Sequence, residues 1–87
     1  MATYIALVRQ EDTSSYGVSF PDFPGLVSGG ETMEEAMENA PQGLAFHIAG
    51  MLEDGEKVPA PSPLSEIMAD QNNSDARAVL IEAPSAA

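Results

Sequence analysis

Fourteen carboxylates, one imidazole and no thiol are what this chain offers to chemistry. Carboxylates in such number could hold two divalent metal ions and hydrolyse a phosphodiester, provided several converge on one point. Asp12 and Asp22 flank a strand-like run, 16–20, at its opposite ends, so they do not converge readily. His47 is the only histidine, and nothing in the sequence places a group to orient it as a general base. One histidine and scattered carboxylates are too few ligands for a structural zinc site. Ser62 and Ser65 have no histidine at a meaningful spacing, and Gly29-Gly30 lacks the Lys-Ser/Thr that completes a phosphate-binding loop. The expectation is a protein with no catalytic residues, no metal and no cofactor; a metal-dependent nuclease is the weakest of the readings kept open.

The acid has a plainer use. Only Arg9, Lys57 and Arg77 oppose it, and the net charge is -11. Such a surface repels a phosphate backbone, which is bound by releasing counterions to Lys and Arg, so direct binding of DNA or RNA by this chain alone is not expected. A basic protein is the partner that this field would steer in. The bland alternative is that the charge only keeps the protein soluble.

Eighty-seven residues make one domain, and a chain of that size buries only roughly 60% of the surface its unfolded form exposes. With no cysteine to staple it, pairing into a homo-oligomer, dimer or tetramer, is expected. No basic-then-apolar leader opens the chain and no apolar run approaches 18 residues, which leads to the expectation of a soluble cytoplasmic protein without membrane contact.

The elements that must position these groups follow from periodicity. "TYIALV" (3–8) reads as a strand with Tyr4, Ala6 and Val8 on one face and Ile5 and Leu7 on the other; both faces are apolar, so the strand is central or covered twice. After the polar link 10–15, "YGVSF" (16–20) is its hairpin partner. "PDFPG" (21–25) follows. Pro21 and Pro24 fix φ, Asp22 can accept from nearby amides, and Pro24-Gly25 suits the centre of a type II turn. "LVS" (26–28) is a short third strand, and Gly29 and Gly30 turn the chain toward a helix.

The start of that helix is the clearest local signal. Thr32 is the N-cap, with Glu35 at N3 completing a capping box, and Glu34 and Glu35 face the positive end of the dipole. Met33, Met37, Ala40, Leu44, Ile48 and Met51 or Leu52 form one apolar stripe, ending near Glu53 with Gly55 as the stop. Pro41, costing about 3 kcal/mol in a helix interior, predicts a kink, with two shorter helices as the alternative. Beyond it, Pro59, Pro61 and Pro63 make a stiff connector, Ser62 is a candidate cap for a short helix over 64–69, 70–76 is polar loop, and "AVLI" (78–81) is a last strand. The whole is an α+β domain: a small antiparallel sheet in the order β-β-β-α-(α)-β with one long helix packed on one face.

Within this frame the candidate partner-binding residues are Asp22, Phe23, Glu31, Glu34 and Glu38. Phe20, Phe23 and Leu26 are most simply core or turn packing; of the three, Phe23 is the candidate contact, because a turn with two prolines leaves little room to tuck every side chain in, and rigid aromatics suit interfaces. Asp22 either holds the turn or pairs with a partner's Arg or Lys. The glutamates are either a solvated face or a patch that meets basic protein. Phe20, Pro21, Pro24, Gly25, Gly30, Thr32 and Glu35 are read as structural.

The run Tyr16, Val18, Phe20, Pro21, Asp22, Phe23, Pro24, Gly25, then Ser28, Gly30, Thr32, Glu34, Glu35, Ala36, Asn39 and Ala40, with the later "EDGEKVPAPS" (53–62), resembles the N-terminal domain of HicB-type antitoxins. The resemblance covers roughly residues 3–83. It implies a partial ribonuclease-H-like fold over residues 1–83, with 84–87 as a disordered tail. It implies a partner too: a small basic toxin, HicA, that resembles a double-stranded-RNA-binding domain, cleaves messenger RNA with a histidine, and is silenced when the antitoxin covers that site. Many members carry a C-terminal ribbon-helix-helix or helix-turn-helix domain, oligomerise through it and repress their own operon. The 87 residues leave no room for such a domain, so operator binding is not expected unless they are a fragment of something longer, and Pro41 with Gly43 stands where the family usually has ordinary helix formers. An interaction domain of the same fold with another partner is the alternative reading.

Overall fold

The alternation at the start of the chain produces a strand buried on both sides. In the computed structural model, which describes residues 2–12 and 15–83, β1 (Ala2–Asp12) lies inside a four-stranded antiparallel sheet of order β3-β2-β1-β4. β2 (Ser15–Ser19) pairs with it in register Val8↔Val18, and β3 (Val27–Gly30) extends the sheet beyond β2. β4 (Arg77–Ala83) takes the other side of β1, with Tyr4 opposite Ile81 and Ile5 opposite Leu80. The last strand thus finds the open side of the first. The expected disordered tail, 84–87, lies outside the described residues.

α1 (Met33–Glu53) covers the face bearing Tyr4, Ala6 and Val8. Its buried row is Ala36, Ala40, Leu44 and Ile48, a strict four-residue step; Met33, Met37 and Met51 flank it half-buried, and Leu52 is exposed. The stripe is therefore centred one side of where the methionines suggested. α1 is a single helix that continues through Pro41. Buried residues on both sides of the proline rest on the same sheet, and that packing offsets the local cost.

The opposite face, with Ile5 and Leu7, is covered by α2 (Leu64–Met68) through Ile67. Between α2 and β4 the chain forms a 3-10 turn, Gln71–Asn73, capped by Asp70, where a plain loop is expected from the sequence. Arg9 secures this layer: its guanidinium donates to the Asn72 carbonyl at 2.7 Å and reaches Asp75 at 3.4 Å. Leu80, beside Ile5, is 73% exposed, so this face is covered only in part.

Candidate functional site

The sequence "FPDFPG" folds into two consecutive turns. The Phe23 amide donates to the Phe20 carbonyl at 2.9 Å, with Pro21 leading the bend; the Leu26 amide donates to the Phe23 carbonyl at 3.1 Å, with Pro24 and Gly25 at the centre. Gly25 has φ of +92°, the value that a type II turn requires at that place and that a side chain would resist. Phe20 at the head of the turns is buried.

Two of the expected partner contacts are placed differently by this geometry. Phe23 does not project. It is 2% exposed, its ring edge-on to Tyr4 (centroids 4.8 Å apart) and to His47 (5.8 Å). The first turn directs its side chain under the helix, so the prolines tuck the aromatic in. His47 accordingly has a packing role against that ring.

Asp22 does not accept from neighbouring amides. Its two carboxylate oxygens take the Ser62 amide (2.9 Å) and the Ser62 hydroxyl (2.6 Å), forty residues away. The proline-rich connector is thereby pinned to the turn. The Tyr4 hydroxyl donates to the Pro59 carbonyl and pins it a second time. Burial, and then the neighbouring charge of Asp22, hold the Tyr4 phenol above its usual pKa. Because Ser62 is spent on Asp22, it does not cap α2; Pro63 occupies the N-cap position, with no side-chain bond there.

The start of α1 is tied down as its sequence predicts. The Glu35 amide donates to Thr32 Oγ1 at 3.0 Å. Glu35 Oε1 returns to the Glu31 amide at 3.4 Å, one residue before the cap. A Cβ on Gly30 would stand 2.6 Å from the Ala36 amide nitrogen, so only glycine lets the strand pass this close to the helix. Asn39 Nδ2 donates to the Gly29 carbonyl at 2.8 Å and fixes the helix to β3. Glu31, Glu34 and Glu38 are all exposed, with Glu34 and Glu38 one turn apart, and none of them enters an ion pair among the described residues.

The structure thus brings Asp22 and Phe23 together at one flank of the C-terminal half of α1. The three glutamates form a separate patch at its N-terminal half. A further residue that sequence reasoning passed over is Phe46, 84% exposed on α1. Its signal was present in the sequence: it falls between Leu44 and Ile48, off the buried row. Among the described residues no group of three or more His, Asp or Glu is arranged to hold a metal ion, and no helix is long and apolar enough to cross a membrane.

The same arrangement recurs in known proteins. Over 94% of its length the chain superposes on 63% of the crystal structure of the Burkholderia pseudomallei antitoxin HicB, with a TM-score of 0.83 and 32% identity. The fold is also that of a chain in the HicA3 and HicB3 toxin-antitoxin complex, at a TM-score of 0.77 and 20% identity, over 95% of this chain and 99% of that one. In sequence, antitoxin HicB 1 of Photorhabdus laumondii subsp. laumondii is 36% identical over 78 residues, which are 90% of this chain and 50% of the relative. The chain spans about half the length, or less, of the curated relatives it matches. Residues 4–86 match the family described as "HicB_like antitoxin of bacterial toxin-antitoxin system". The order of strands and helices agrees with that match, and the chain belongs to the HicB-like antitoxin family.

Proposed function

We propose that this chain neutralises a small basic, messenger-RNA-cleaving toxin of the HicA type by covering its active site, in the cytoplasm and as a homo-oligomer. Membership of the antitoxin family carries the reading. The net charge of -11 supports it, since a protein that handles RNA presents a basic face, and acid is what would meet that face. The solved relative in the HicA3 and HicB3 complex has the same fold. The unpaired outer edges of β3 and β4 are where a second copy would join the sheet.

In this reading Glu31, Glu34 and Glu38 steer the toxin in, while Asp22 and Phe23 set the shape of the turn beside the helix. Adding the purified chain to its toxin at equal concentration should suppress RNA cleavage. Undiminished cleavage at a saturating excess would overturn the reading. Glu34→Lys with Glu38→Lys should slow association several-fold at about 20 mM salt, and the difference should shrink near physiological salt as screening grows.

A further inference from the structure

Beside the C-terminal half of α1 lies an open groove of about 450 Å³. Its lining includes Asp22 and Pro24 of the proline turn, Phe46, Gly50 and Asp54 along the helix, and Glu56. Positions 46, 50 and 54 are each one turn apart, so the missing side chain at Gly50 is a notch between an aromatic ring and a carboxylate. A Cβ at Gly50 would touch nothing within 4 Å, so the fold itself does not require glycine there. Helix propensity argues against it, by about 1 kcal/mol relative to alanine.

Three further observations say what the notch is for. Phe46 keeps 84% of its surface in water, which nothing within the chain repays. Among the described residues, Asp54 and Glu56 have no ion-pair partner and no Lys or Arg lines the groove. The last turn of α1 contains no basic residue, so these carboxylates sit at the negative end of the helix dipole, where they add to the field instead of cancelling it.

Resting on the antitoxin reading above, we infer that this groove receives an arginine side chain from the basic partner. Its stem would lie in the Gly50 notch against the Phe46 ring, and its guanidinium would be held by Asp54 and Glu56. Arginine matches both the ring and the carboxylates, because its apolar stem packs along an aromatic surface while its planar head forms paired hydrogen bonds to carboxylates. The glutamates at the other end of the helix would govern how fast the partner arrives. The groove would govern how long it stays.

The test is surface-binding kinetics of the whole chain against a small basic toxin of the HicA type. Gly50→Leu should fill the notch and raise dissociation at least tenfold, with a melting temperature at or above that of the parent chain. Asp54→Lys should do the same through charge, and Gly50→Ala should stay near the parent. Glu34→Lys, by contrast, should change association alone. If the parent chain binds tightly and both Gly50→Leu and Asp54→Lys dissociate as it does, the groove inference is wrong while the antitoxin reading stands. If the parent chain does not bind the basic protein at all, both fall together. If Gly50→Leu melts lower, Asp54→Lys alone decides.

Discussion

At its N-terminus α1 sets Glu34 and Glu35 against the positive end of its own dipole, with Thr32 capping it and Gly30 and Asn39 fastening it to β3. At its C-terminus Glu53, Asp54 and Glu56 gather at the negative end, the last turn has no basic residue, Gly50 leaves a gap and Phe46 stands in water. The first set of acids is accounted for by the stability of the helix. The second set works against it, by a few tenths of a kcal/mol for each carboxylate close to the end. One charge sign on one helix therefore has two meanings. Where acid serves the fold, no partner is needed to explain it; where acid opposes the fold, an external cation is the simplest account.

Phe23 gives the largest way to break this contrast, because it supports the C-terminal half from below. Phe23→Ala removes a fully buried ring and its edge contacts to Tyr4 and His47. Such truncations cost about 3–5 kcal/mol, a large share of what so small a domain holds. Chemical denaturation of the free chain should show that loss. A variant that melts like the parent but binds its partner poorly would return Phe23 to the candidate contact role that the sequence left open.

At the other end, Gly30→Ala should cost about 1–3 kcal/mol, because the new methyl meets backbone atoms of Glu35 and Ala36, which cannot swing aside like a side chain. Hydrogen exchange should locate the damage in the first two turns of α1 and in β3, leaving amides around Gly50 protected as before. If protection fell evenly along the helix, the two ends would be one cooperative unit and the contrast would lose its physical basis.

How far these features could be read from the sequence follows their range. Thr32, Glu35 and Gly55 act within a turn of themselves, and the helix bounds came out as their chemistry requires. Tyr4, Ile5, Ala6, Leu7 and Val8 alternate cleanly, so a strand covered on both faces was legible, as was a last strand that seeks an open edge. Ser62 was not legible. Its nearest sequence role is a cap, but Asp22, forty residues earlier, claims its amide and hydroxyl, and no local pattern encodes that bond. Phe23 was legible in part: core packing was the simpler reading and its burial agrees, but the direction of its side chain is set by the hydrogen-bonded turn before it, so the residue types alone left a contact role open. Phe46 was legible as an aromatic off the buried row, yet only the notch beside it and the acid beyond give it a use.

The smallest effect tests the contrast most directly, by making the same kind of change at both ends of α1. Thr32→Ala removes the hydroxyl that accepts the Glu35 amide and should lower stability by about 1 kcal/mol. Asp54→Lys replaces an unpaired carboxylate at the C-cap with a cation that the negative helix end attracts, and should raise stability by about 0.5 kcal/mol. The gain should fade in molar salt, where the screening length falls to about 3 Å, whereas the loss of the Thr32 hydrogen bond should persist. Opposite signs and different salt responses, read from paired melting curves, would mean that the N-terminal cap serves the fold and the C-terminal acid does not. If Asp54→Lys instead lowered stability at every salt concentration, Asp54 would be structural in its own right, and the C-terminal acid would no longer call for a partner to explain it.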